Sequence, residues 1–126
     1  MKEDFRKLID EIKARWDEAK KAKQGWFKDL VSRFSLAVPF LMKAIDELMR
    51  FVEGKIKEGL AKKVLVMEAA SELFDYIILP ILPFWARPFG PIIKNIVVNV
   101  VISNFIDFLV DKLNSLNVVQ LGIKLK

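Results

Sequence analysis

Five carboxylates in the second half of the chain fall at spacings that could hold a cation. Glu68, Glu72 and Asp75 are separated by steps of four and three, which places them on one face of a helix. Asp107 and Asp111 repeat the step of four. An all-oxygen set of this kind suits Mg²⁺ or Ca²⁺ on ligand chemistry alone. Bundle di-metal sites, however, rest on Glu-x-x-His pairs, and the chain contains no histidine. The same absence removes the commonest general base. The absence of cysteine removes thiolate zinc sites, disulfides and cysteine nucleophiles. The simpler reading of the acids is a solvated face, or partners for lysines of the first half. No catalytic, metal-binding or cofactor-binding residue is assigned, no small-molecule substrate is inferred, and the chain reads as non-enzymatic.

The basic residues admit a second chemistry, the neutralisation of phosphates. Net charge is +5, and Met1–Lys63 holds all of the excess, with sixteen Lys/Arg against eleven Asp/Glu. Val64–Lys126 carries five of each. Lys20, Lys21 and Lys23 form one cluster and Lys62 with Lys63 another, yet both are flanked by acids, so no face is purely basic. There is no glycine-rich phosphate loop, and Trp16, Trp26 and Phe27 fit core or interface positions better than base stacking. A basic helical nucleic-acid-binding protein is therefore only the third-ranked reading. The first helix, with six acids against eight bases and a narrow apolar stripe, is also a weak match to an anionic membrane surface.

The elements that carry these residues are helical. Phe5, Ile9, Ile12, Trp16 and Ala19 alternate steps of four and three, a heptad-type seam on an otherwise charged segment ending at Gly25. Residues 1–24 thus read as an amphipathic helix or arm, docked on its own bundle or on a neighbouring chain. Trp26–Phe34 forms a short second amphipathic segment, and Pro39 predicts a kink or a restart. From Phe40 the pattern is again helical. Gly54 and Gly59 place an antiparallel reversal within Glu53–Gly59. The next helix spans Leu60 to Leu79, stopped by Pro80.

Leu79–Pro91 is an apolar connector with four prolines and the aromatics Phe84, Trp85 and Phe89. Pro91 then opens a helix to about Leu116 that is apolar on nearly every side, which predicts a central, covered position. Ile93, Val97, Val101, Phe105, Phe108 and Leu109 are expected to be buried. A membrane span needs about 20 mostly apolar residues. Pro91–Val110 has that length, but it includes Lys94, Asn95, Asn99, Ser103, Asn104 and Asp107. A charge near the centre of a span costs about 2.5–3.5 kcal/mol, so a bundle core is the better reading. In the tail, Leu121, Ile123 and Leu125 alternate with polar residues and glycine, a strand-like period without a partner in the sequence.

The expected fold is a single all-α domain over residues 1–126. It comprises the N-terminal helix, a bundle of four to five helices over 26–116 around a central apolar C-terminal helix, and an extended tail at 117–126. Charged amphipathic helices around an apolar helical hairpin resemble, in outline, pore-forming toxins and some phage lysis proteins; no motif carries the resemblance, and it assigns no residue roles. The leading function is a self-associating structural or adaptor protein, compatible with a viral or mobile-element origin. Phe5, Ile9, Ile12, Trp16, Phe84, Trp85, Phe89, Leu121, Ile123 and Leu125 are its expected interface, and a second copy is its expected partner. The alternative is a membrane-associated protein that inserts its apolar hairpin in the manner of a holin or pore former. The opening Lys2–Lys7 is charged where a secretory signal would be apolar, so a cytoplasmic location is expected, with membrane association only if the hairpin inserts. The composition, rich in Lys, Ile, Val and Phe, is compatible with a thermophilic source.

Overall fold

In the computed structural model, which describes residues 2–22, 30–56 and 58–112, four helices follow one another without a strand among the described residues. They are α1 (Lys2–Ala22), α2 (Leu30–Glu53), α3 (Gly59–Ile77) and a last rod, α4 (Phe84–Lys112). The rod opens with a tight 3₁₀ run over Phe84–Phe89, continues as α-helix through Gly90–Ile96, widens to a π segment over Val97–Ile102, and returns to α-helix over 103–112.

The all-α bundle expected from the sequence is what forms. α1 buries the predicted seam: Phe5, Ile9, Ile12 and Trp16 all lie in the core. Of the two docking partners that the seam allowed, α1 takes its own bundle, against α2 and α3. Trp16 stacks at a tilt on Phe40 with ring centroids 5.2 Å apart, and Phe5 meets Phe51 at 5.9 Å. The reversal falls where the glycines place it, between Glu53 and Gly59, with Ile56 N–H donating back to the Val52 carbonyl at 3.0 Å.

Pro39 neither restarts nor ends a helix. It sits inside α2, which absorbs the end of the segment expected as a separate short helix. Pro39 and Ser35 are both exposed, so the Ser35 carbonyl, which loses its helical donor to the proline, stands where water can serve it.

The main correction concerns the centre of the bundle. The sequence pattern puts Pro91–Leu116 there, but α3 occupies it, in contact with α1, α2 and the π segment of α4. Ala69, Ala70, Leu73, Phe74 and Ile77 of α3 are buried against Ala37, Leu41, Ala44, Ile45, Leu48 and Met49 of α2. Small alanines on both helices leave room for close packing, since interaxial distance follows side-chain size. α4 contributes only one row, Gly90, Val98, Ile102, Ile106 and Leu109. Leu109 is buried as expected, and Ile93, Val97 and Phe105 are half-buried. Val101 and Phe108, also expected inside, are 49% and 60% exposed. Overall apolarity misplaces α3 because Lys63, Glu72 and Asp75 reach the flanks of the bundle and pair there.

The connector and the residue before it lie partly in the core. Ile78, Ile81, Leu82 and Ala86 are buried, and Ala86 N–H closes a turn onto the Pro83 carbonyl at 2.9 Å. Gly90 is buried where the chain re-enters the helix, and a Cβ there would stand 3.2 Å from Leu79 Cδ2. The expected tail, with Leu121, Ile123 and Leu125, lies outside the described residues, as do Lys23, Trp26, Phe27 and the expected helix end at Leu116.

Candidate interaction surface

The charged residues that could have done chemistry are largely matched to one another. Glu72 is gripped by Arg6, whose Nη1 lies 2.7 Å from Oε1, and by Lys13 at 2.7 Å from Oε2. The Arg6 hydrogen bonds, aided by Lys13, hold the Glu72 carboxyl well below the usual range, at about 2. Asp75 takes Lys94 at 2.8 Å, and Asp107 takes Lys63 at 2.9 and 3.0 Å through its two oxygens. Lys62 is buried and pairs with Glu53 at 3.1 Å beside the α2–α3 reversal. Lys20 lies 3.6 Å from Asp17. Asp17 also accepts from the Tyr76 hydroxyl at 2.7 Å, and that bond to a carboxylate raises the Tyr76 pKa. Among the described residues, no three acids gather as a metal site would require. Of the α3 acids, Glu72 pairs with α1 and Asp75 with α4, while Glu68 is exposed.

Two of these pairs accompany the pose of α4. Lys63–Asp107 and Lys94–Asp75 fasten α4 antiparallel to α3 near both ends. Each uses a charge that would otherwise stand beside the apolar surface. Beyond those pairs α4 carries few charges, all close to its ends: Arg87, Asp111 and Lys112 are exposed.

That outward side carries the largest apolar groups left in water. Phe84 is 87% exposed and Trp85 70%; Phe89, Ile92, Ile96, Val100, Val101 and Phe108 are each about half exposed or more. Together they present on the order of 800 Å² of surface, taking roughly 150–250 Å² per aromatic and somewhat less per branched aliphatic. The largest apolar patch on an ordinary monomer is about 300–600 Å². Leu60 and Val64 of α3 are exposed too, and they line a shallow groove with Met67, Ser71, Val98 and Asn99. Within the α4 surface, the Asn99 side-chain amide donates to the Asn95 side-chain oxygen one turn earlier.

The expected interface residues thus fall into three groups. Phe5, Ile9, Ile12 and Trp16 are occupied inside the chain's own core, whereas Phe84, Trp85 and Phe89 are open. Leu121, Ile123 and Leu125 are outside the described residues. Sequence reading missed Ile92, Ile96, Val100, Val101 and Phe108 as surface groups. Spacing separates a step of four through Ile92, Ile96 and Val100 from an opposite one through Val98, Ile102 and Ile106, but it does not tell which of the two faces water.

No protein-family model matches the chain, and no curated protein or solved structure shows significant similarity to it.

Proposed function

We propose that the chain is a non-enzymatic, self-associating structural or adaptor protein whose contact surface is the outward face of α4. One observation carries the reading: a 29-residue apolar helix is fastened to its bundle, yet only 22% of its most apolar stretch is buried. Water leaves such a surface uncovered at a cost of roughly 25 cal/mol per Å². A stable protein–protein contact covers about 800 Å² on each partner, which is the size of the patch. The internal ion pairs support the same reading, because they leave little charge to be desolvated when a second copy docks.

The length and composition of α4 also support a second reading, association with a bilayer. This is the one helix among the described residues long and apolar enough to cross a membrane. Crossing would break Lys63–Asp107 and Lys94–Asp75 and strip α4 from α3. Lying flat on a bilayer would leave those pairs intact, but the exposed face lacks the row of basic residues that anchors interfacial helices. Self-association requires neither concession.

The test is the solution mass of the purified chain in detergent-free buffer, with vesicle flotation in parallel. A discrete multimer is expected, and Phe84→Ser with Phe89→Ser should lower its mass without changing flotation. Unchanged mass with lost vesicle binding would replace this reading by the membrane one.

A further inference from the structure

The exposed side of α4 carries a polar pair at its centre and complementary groups towards its ends. Asn95 and Asn99 lie two residues either side of Val97, close to the midpoint of Phe84–Lys112. Their mutual hydrogen bond uses the Asn95 oxygen and one Asn99 N–H. The Asn95 amide nitrogen and the Asn99 oxygen keep donor and acceptor capacity for outside partners. Arg87 and Asp107, both exposed, lie ten residues either side of the same Val97. Trp85 and Phe89 stand towards one end, and Phe108 towards the other.

We infer that a second copy packs antiparallel along α4, about a two-fold axis beside Val97, with the Asn95–Asn99 pair of each copy bonded to that of the other. The inference rests on the self-association reading above and adds its geometry. In the antiparallel arrangement each Asn95 amide nitrogen meets the other copy's Asn99 oxygen, so four amides satisfy one another inside an apolar contact. Arg87 comes alongside the other copy's Asp107, which has lone pairs to spare beyond Lys63. The aromatic end covers Phe108. A parallel arrangement would set amide nitrogen against amide nitrogen and Arg87 against Arg87, and it would align the helix dipoles unfavourably. A polar pair at one point of an apolar seam fixes register, at some cost in stability.

The chain has no cysteine, so single cysteines report the geometry cleanly. After confirming that the wild type is multimeric, Ile96→Cys, Trp85→Cys and Phe108→Cys are oxidised separately and in mixture. Ile96→Cys lies next to the axis and should form a disulfide dimer. Trp85→Cys should not link to itself, because its two copies stand about 36 Å apart at 1.5 Å per residue. Mixed with Phe108→Cys, it should form a heterodimeric link. Self-linking of Trp85→Cys, or no link from Ile96→Cys within an intact multimer, overturns the antiparallel arrangement. Asn95→Leu with Asn99→Leu should still associate, but spread over several masses instead of one; a single unchanged mass overturns the role of the amides. A monomeric wild type removes the self-association reading itself, a result distinct from all of these.

Discussion

Trp16→Ala tests whether α1 is an arm or part of the core. The indole is fully buried and stacks on Phe40, in a row with Phe5, Ile9 and Ile12 that α2 and α3 cover. Truncating a buried tryptophan to alanine costs about 3–5 kcal/mol, counting the lost transfer energy and the cavity left behind. Total stability for a domain of this size is about 5–15 kcal/mol. Melting entropy is about 2.1 cal/mol/K per residue, so 126 residues give roughly 0.26 kcal/mol/K. The expected fall in melting temperature is therefore roughly 11–19 °C. Trp85→Ala is the control: the side chain is mostly in water, and its loss should move the folding midpoint by about 2 °C or less. Thermal melts followed by circular dichroism at matched low concentration make the comparison, since assembly raises the apparent midpoint. A Trp16→Ala midpoint within about 4 °C of wild type would show that α1 contributes little to the core, and the packing described for it would be wrong.

Val101→Asp should leave the helical circular dichroism intact but lower the solution mass, because this valine faces water in the single chain; Ile106→Asp, on the buried row, should instead unfold it. Glu72 gives an acid dependence: its pKa is lowered to about 2, so its contribution is complete above about pH 4.5 and lost as pH falls towards 2. Because the carboxylate is partly screened by solvent, that contribution is about 1–2 kcal/mol; Glu72→Gln should lose it at neutral pH, and the gap to wild type should close across that window in denaturant titrations. Phe84→Ser with Phe89→Ser should change assembly mass while leaving the melting midpoint of the monomer within about 2 °C.

The parts of this fold legible in the sequence are those where one face is apolar and the others are not. The seam of α1 satisfies that condition, and so its buried row reads directly from spacing. The reversal at Gly54 and Gly59 and the stop before Pro80 follow from backbone chemistry that packing did not override. Pro39 was illegible because tolerance of a proline depends on whether the orphaned carbonyl faces water, which only the packed helix decides. α4 defeats periodicity for another reason. Its inward and outward rows are both made of Ile, Val and Phe, so spacing shows that rows exist but not which one the bundle takes. The buried choice also suits Lys94 and Asp107, but their partners Asp75 and Lys63 lie on a different helix, where the spacing of α4 cannot show them. The same blindness hid most of the candidate surface, because exposure of an apolar row has no signature of its own in one sequence.

The π segment at Val97–Ile102 has a consequence for how the chain tolerates changes in length. A π turn holds about one residue more than the α turn it replaces. It keeps Gly90, Val98, Ile102 and Ile106 on the inward side although steps of four would drift around an ideal α-helix. Loss of one residue at Val100 or Val101 would let the segment relax to α geometry, with the rows before and after it still aimed at α3. The same loss in the middle of α3 would rotate everything beyond it by about 100° and turn half its core residues to water. One stretch of α4 is thus a length buffer, and the helix beside it has none.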